Sequence, residues 1–239
     1  MVETISGVSY RWDYDTADRL VSEAINHWDN DYDQTESYLL DLVGNRIQRT
    51  VDKVNPAQDC TFITSFDTND RLLSEQEHPN LTGTGGSDRS TTYTWANTQQ
   101  ASKTVTSATE GTQTQLLSYG LGGKLESVVL ESRSTTNVLQ SRSRVDYRYD
   151  TFGIRFLSID WNDANLDNTF AAGERTGSTE FLIERNNETG HPQAIIETEK
   201  NAAGLATKRT TYGFGHDEVT QTTSMSLNPK IDEVSEPEP

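Results

Sequence analysis

The sequence has one cysteine and no apolar run near the ~20 residues that a membrane helix needs. A lone Cys60 excludes an intramolecular disulfide framework and reads as a half-buried strand thiol. Apolar residues are few: 32% of the chain is hydrophobic, and Leu, Ile, Val and Phe make up about a fifth. That lies at the edge where intrinsic disorder becomes an alternative. A compact globule of 239 residues would carry more apolar side chains, whereas a thin sheet with much surface per residue needs fewer. The composition therefore favours a twisted sheet or solenoid. Basic residues are also scarce, 20 Lys and Arg against 37 Asp and Glu, giving a net charge of -17. Nucleic-acid binding needs clustered bases to displace counterions, so this balance excludes it. Anionic membrane surfaces are disfavoured for the same reason. The first six residues have neither a basic n-region nor an apolar h-region, so no signal peptide is visible. A cytosolic protein, or an internal or truncated stretch of something larger, is expected.

What is present is alternation. Tyr147-Arg148-Tyr149 and Thr92-Tyr93-Thr94-Trp95 alternate in strand fashion, and Val128-Val129-Leu130 and Ala194-Ile195-Ile196 are short apolar strand runs. Helical spacing occurs once, at Leu20, Val21, Ala24, Ile25 and Trp28. That segment follows a recurring turn signal and is expected to be a strand. Residues 79–88 are dense in Gly, Pro, Ser and Thr and predict a loop. Its glycines open no helix, so they form no phosphate cradle. The acidic, Pro-containing end from residue 223 to 239 predicts a disordered tail.

Aligned on itself, the chain repeats. Units centre on Asp15, Asp41, Asp67, Ala96, Gly120 and Asp150, separated by 26, 26, 29, 24 and 30 residues, which is a repeat architecture. An aromatic ends a strand and is expected to stack on its counterpart in the next unit. Asp then caps backbone amides two residues on and starts a turn. Three residues after it stands Gly, Asp or a similar turn-former, where positive φ is needed. Arg or Lys begins the return strand, and the turn sets the hairpin register. The fourth unit lacks the aspartate, which puts its turn in question. Single units cannot bury their apolar face and must stack.

These units resemble the YD repeat of the RHS family, written aromatic-x-Tyr-Asp-x-x-Gly-Arg-Leu. Glu180 to Glu197, with Asn186-Asn187-Glu188-Thr189-Gly190, and Thr210-Thr211-Tyr212-Gly213-Phe214-Gly215 resemble segments that follow the repeats in that family. The resemblance covers about residues 8 to 222. It implies an all-β, extended, twisted antiparallel sheet of stacked hairpins, part of a β-shell or ribbon: repeats over 8–160, a hairpin region over 161–222 and the tail over 223–239. It also implies a non-enzymatic structural segment, secreted or at the cell surface and associated with a toxin. Its partner would be the remainder of an RHS shell, or a surface protein or carbohydrate ligand. The family's core motif, Asp-Pro-x-Gly, is absent and no toxin domain follows, so self-cleavage and toxicity are not implied.

One stretch carries ligand spacing. Asp163, Asn165, Asp167, Thr169 (through its carbonyl) and Glu174 stand at positions 1, 3, 5, 7 and 12 of a calcium loop, with Phe170 as apolar anchor. Position 6 is Asn168, where glycine is usual; Asn is the next best residue for positive φ. The alternative is an Asx-rich hairpin turn without an ion. The cluster Asp29-Asn30-Asp31-Tyr32-Asp33 lacks a closing carboxylate and reads as a solvated turn. His27, His78, His191 and His216 have no metal-ligand spacing, and His78 and His191, each before a proline, read as loop positions. No Gly-x-Ser-x-Gly elbow appears, and picking two carboxylates from so acidic a chain as a glycosidase pair would be arbitrary. A second function class is a binding module using the exposed aromatics Trp12, Trp28, Trp95 and Trp161 on a carbohydrate or protein. Asn80-Leu81-Thr82 and Asn187-Glu188-Thr189 are formal glycosylation sequons.

Overall fold

Among the described residues, short alternating segments broken by turn signals fold into seventeen β-strands and almost no helix. A computed structural model describes residues 2–5, 7–27, 32–83, 88–185, 193–214 and 219–225. Two compact units are distinguished, Met1–Leu116 with Glu131–Gln140, and Leu117–Leu130 with Ser141–Pro239. The boundary expected at residues 160 and 161 falls inside a strand instead.

The first unit contains β1 (Val2–Ile5), β2 (Val8–Tyr14), β3 (Leu20–His27), β4 (Gln34–Leu40), β5 (Arg46–Lys53), β6 (Cys60–Phe66), β7 (Leu72–His78), β8 (Arg89–Ala96), β9 (Gln99–Ser107) and most of β10 (Gly111–Tyr119). Successive strands pair antiparallel from β1 to β10. The segment with helical spacing is β3, as its turn signal required.

Alternation sorts this unit's side chains onto two unlike faces. One face carries rows of small polar groups. Ser22, Ser37, Thr50, Thr61 and His78 lie opposite one another in turn, as do Ser65, Ser74, Thr92, Thr104 and Thr114. Their hydroxyls meet across strands, Ser65 to Ser74 at 2.6 Å and Thr94 to Ser102 at 2.7 Å, pairs worth roughly 0.2–1 kcal/mol each.

The other face is covered by long side chains lying along it. The Tyr38 hydroxyl donates to Glu23 and, at 2.9 Å, to Glu36. Arg49 donates to both oxygens of Glu36 at 2.7 and 2.8 Å and lies over the Phe62 ring. Arg46 lies 3.7 Å from the centre of the Tyr38 ring. Glu23 and Glu36 are direct cross-strand partners, a like-charge pair that would repel without the phenol and guanidinium between them. Among the described residues the buried hydrophobics are Tyr38 and Val51 alone. The low apolar content thus has its counterpart here: stems of Arg and aromatic rings shield the sheet in place of a packed core.

The second unit contains β11 (Leu125–Arg133) and β12 (Leu139–Tyr149) for most of their length, then β13 (Arg155–Asn162), β14 (Arg175–Glu184), β15 (Gln193–Asn201), β16 (Ala206–Phe214) and β17 (Val219–Met225). Pairing is again antiparallel and sequential from β12 to β17. β17 runs to Met225, three residues into the segment expected as tail; residues 226–239 lie outside the described residues. No helix of the described residues is long and apolar enough to cross a membrane.

Candidate functional site

The repeat turns share one construction. The Asp15 N–H donates to the Arg19 carbonyl at 2.9 Å, and the Asp15 carbonyl accepts from Asp18 N–H at 3.1 Å. The same two bonds close residues 41–45, 67–71, 120–124 and 150–154. The fourth residue of each turn has positive φ, as the motif demands: Asp18 +57°, Gly44 +102°, Asp70 +58°, Gly123 +72° and Gly153 +81°. The Asp carboxylate does the closing. Asp15 Oδ1 accepts from Ala17 N–H and Arg19 N–H at 2.8 and 3.0 Å, and Oδ2 accepts from Arg19 Nε at 2.7 Å. Asp67 repeats this with Asn69 and Arg71. The Arg19 amide holds the Asp15 carboxyl below the usual carboxylate range, the Arg71 guanidinium does so for Asp67, and the Ile154 amide for Asp150.

A register shift precedes these turns, between Asp13 and Tyr14, Leu39 and Leu40, Ser65 and Phe66, and Arg148 and Tyr149. The fourth unit has it too, between Thr94 and Trp95. Without an aspartate it makes a shorter turn: Ala96 pairs with Gln99, and Asn97 takes φ +55°. Two further hairpins use the five-residue turn, residues 134–138 and 201–205. There the Ser134 hydroxyl and the Asn201 amide oxygen accept from the Val138 and Leu205 amides at 3.2 and 3.0 Å. Sequence alignment missed both, because no aromatic precedes them and no base ends them.

Successive turns are tied together. Arg19 Nη1 donates to the Asp41 carbonyl at 2.8 Å, Asn45 Nδ2 to Asp70 Oδ1 at 2.9 Å, and Arg71 Nη1 to the Asn97 carbonyl. In the second unit Lys124 Nζ donates to the Gly153 carbonyl at 3.0 Å. The last residue of one turn thus reaches the next turn. The repeat aromatics answer in the opposite direction: Trp95 Nε1 donates to the Leu72 carbonyl and the Tyr149 hydroxyl to the Leu125 carbonyl, each at 2.9 Å. Arg71 lies over the Trp95 ring and Lys124 over the Tyr149 ring. The partner of these aromatics is therefore a cation of the preceding unit, where stacking on another aromatic was expected; such a pair contributes about 0.5–1 kcal/mol at exposed sites. Where Ile154 offers no side-chain donor, Arg185 pairs with Asp150 instead.

The loop of residues 163–174 brings its sequence-predicted groups together as a hydrogen-bonded coil. Asp163 is 1% exposed. Its oxygens accept from the Asp167 and Asn168 amides at 3.1 and 3.0 Å, with Arg142 Nη1 3.8 Å away. Asn165 Oδ1 accepts from the Asp167 amide at 3.0 Å. Asp167 Oδ1 accepts from the amide and hydroxyl of Thr169, at 2.8 and 2.6 Å, and the hydroxyl bond holds the Asp167 carboxyl below the usual range. Glu174 spans the loop, accepting from the Ala164 and Ala171 amides at 3.1 and 2.9 Å. Asn168 has φ +67°, and Phe170 is held between Arg142 and Arg144, each 4.7 Å from its centre. The oxygens point at amides, and among the described residues no three His, Cys, Asp or Glu gather to hold a metal ion.

Other sequence expectations resolve individually. His78 is the last residue of β7 and 5% exposed, with neither ring nitrogen hydrogen-bonded, in place of the expected loop position. A residue before proline is restricted to extended backbone, which a strand end satisfies equally well. Trp12 stacks on Tyr10, and Trp161 donates to Asp146 at 2.9 Å beneath Arg144. Asp33 accepts from the His27 amide at 2.6 Å. Cys60 opens β6 half-buried, and burial pushes its thiol up. Asp29, Trp28, His191, His216 and the second sequon lie outside the described residues.

No family model matches the chain, and no curated protein matches it. Among solved structures it is similar to a chain of the Photorhabdus luminescens Tc holotoxin pore, at 16% identity and TM-score 0.37, over 95% of this chain and 13% of that one. It is similar to a chain in the TcdB2–TccC3 crystal structure at 15% identity and TM-score 0.38, over 94% and 13%. A porin-like protein from Bacteroides uniformis is similar at 9% identity and TM-score 0.34, over 93% and 90%. The chain spans about an eighth of the length of the two toxin chains.

Proposed function

We propose that this chain is a non-enzymatic wall segment of an RHS/YD-repeat shell, built to be continued by further repeats. The observation that carries the reading is the bond from the last residue of one turn to the next turn, from Arg19 to Asp41, Asn45 to Asp70, Arg71 to Asn97 and Lys124 to Gly153. A hairpin in such an array satisfies its polar groups through its neighbours, so stability accrues along the array. The YD-like residues support the family, and the remainder of a shell, as in a toxin assembly, is the proposed partner. The carbohydrate-binding alternative is not favoured, since the indoles of Trp95 and Trp161 are engaged within the sheet. Calcium at residues 163–174 remains a proposal resting on ligand spacing.

The test is hydrogen exchange on the chain and on Arg71→Ala. A wall segment should show protected repeats, and the substitution should raise exchange in the adjoining turn at Asn97 as well as at Asp67. Loss of protection confined to residues 67–71 would remove the coupling. For the shell itself, coexpression with the product of the adjoining reading frame followed by electron microscopy should yield closed particles; a chain that stays separate would count against the reading.

A further inference from the structure

On the long-side-chain face of the first unit, β6 to β9 enclose a cup of about 260 Å3. Its floor is short, Thr91 directly opposite Val105. Phe62 and Tyr93 form aromatic walls. Glu75 and Glu77 stand on β7, one alternation apart and so about 6.6 Å along the strand; Arg89 and Lys103 stand on β8 and β9.

The charges are arranged unlike those elsewhere on this face. Glu77 is the direct cross-strand partner of Arg89, the placement in which opposite charges ordinarily pair. Elsewhere on this face even the diagonal neighbours Arg49 and Glu36 pair, at 2.7 Å. Yet the side chains of Glu75, Glu77 and Arg89 form no ion pair or hydrogen bond among the described residues, and Lys103 only lies 5.9 Å from the Tyr93 ring centre. The phenol of Tyr93 is pushed up by burial and then by the Glu75 charge, which sets that carboxylate beside the cup. An exposed pair is worth at most about 1 kcal/mol, so leaving these charges apart costs little and leaves acid at one side and base at the other.

We propose that this cup binds a small zwitterion, an α-amino acid with an apolar side chain being the simplest case. The ammonium group lies against Glu75 and Glu77, the carboxylate against Arg89 and Lys103, and the side chain against Phe62 and Val105. The volume is below the roughly 300–1,000 Å3 of pockets for drug-sized ligands, which suits a ligand the size of a single amino acid.

Amide chemical-shift titration of the intact chain with L-leucine tests this, beside N-acetyl-L-leucine, which lacks the ammonium group, and leucine amide, which lacks the carboxylate. Saturable shifts at residues of β6 to β9 are expected with L-leucine in the millimolar range. Each capped probe should bind at least about tenfold more weakly, the loss of one charge-assisted contact. The Glu75→Gln/Glu77→Gln variant should lose the same factor with an unchanged circular dichroism spectrum. Equal binding of all three probes, or no saturable shift with any, overturns the proposal without recourse to a variant.

Discussion

The carboxylate of Glu126 occupies the space that a side chain on Gly120 would fill, with Oε1 1.9 Å from where a Cβ would stand. Gly120 heads the one five-residue repeat turn without an aspartate, and its φ of -96° suits any residue. The returning strand thus sets a carboxylate against the head of this turn. Gly120→Asp alone should destabilise the chain, because two carboxylates would claim one place. Gly120→Asp/Glu126→Ala should recover the loss. Denaturant unfolding of the three forms measures it.

Gly153 is required twice over. It has φ +81°, and a Cβ there would meet Lys124 Nζ at 2.1 Å. Gly44 has φ +102° but nothing within 4 Å. Ala at Gly44 should cost the backbone strain alone, about 1–2 kcal/mol. Ala at Gly153 should cost more, since it also displaces the ammonium group from its carbonyl. In a Lys124→Ala background the two substitutions should become equal.

The turn carboxylates link stability to acid. Asp15, Asp67 and Asp150 have folded pKa values below their unfolded value of about 3.8. A depressed carboxyl contributes stability that is present above the unfolded value and lost as pH falls through the folded one. Unfolding free energy should therefore fall below about pH 4, where these groups take up protons on unfolding. Asp67→Asn should flatten that slope, as chemical denaturation between pH 2 and 6 would show.

Tyr38 works at the alkaline end. Burial first, then the bonds to Glu23 and Glu36, raise its phenol far above the usual tyrosine value. A raised acid stabilises fully below the unfolded pKa of about 10 and loses that contribution as pH rises towards the folded value. Ultraviolet difference spectra of the folded chain should show Tyr38 among the late-ionising tyrosines, with Tyr93 and Tyr212 also raised. Tyr38→Phe should remove one tyrosine from that late fraction and leave Glu23 facing Glu36.

Calcium separates the two readings of residues 163–174. On the calcium proposal, about 10 mM calcium, ten times the dissociation constant of weak extracellular sites, should raise the melting temperature; an unchanged value leaves the bare Asx-rich turn. A rise of several degrees that a chelator reverses would assign an ion to the loop.

The all-β class, the turns at Asp15, Asp41, Asp67, Gly120 and Asp150 and their positive-φ residues were legible, because each is dictated by a short stretch of sequence. Relationships between units were not. Nothing local marks Arg71 as the partner of Asn97, or Glu126 as the carboxylate of Gly120, since strand register decides both. Ser134 and Asn201 escaped notice because they keep only the capping oxygen of the motif. The loop at Asp163 was found by its oxygen spacing, but spacing alone does not say whether an oxygen faces an ion or an amide hydrogen. His78 was misplaced because proline marks the end of a strand as readily as a loop.

A sheet whose described buried hydrophobics are Tyr38 and Val51 exposes little new apolar surface when it melts. Its heat-capacity increment per residue should then fall below the roughly 12–15 cal/mol/K of ordinary globular domains. The stability curve of such a molecule is broad and shallow. Cooling weakens it less than it weakens a protein held by an oily centre, and the temperature of cold denaturation moves correspondingly lower.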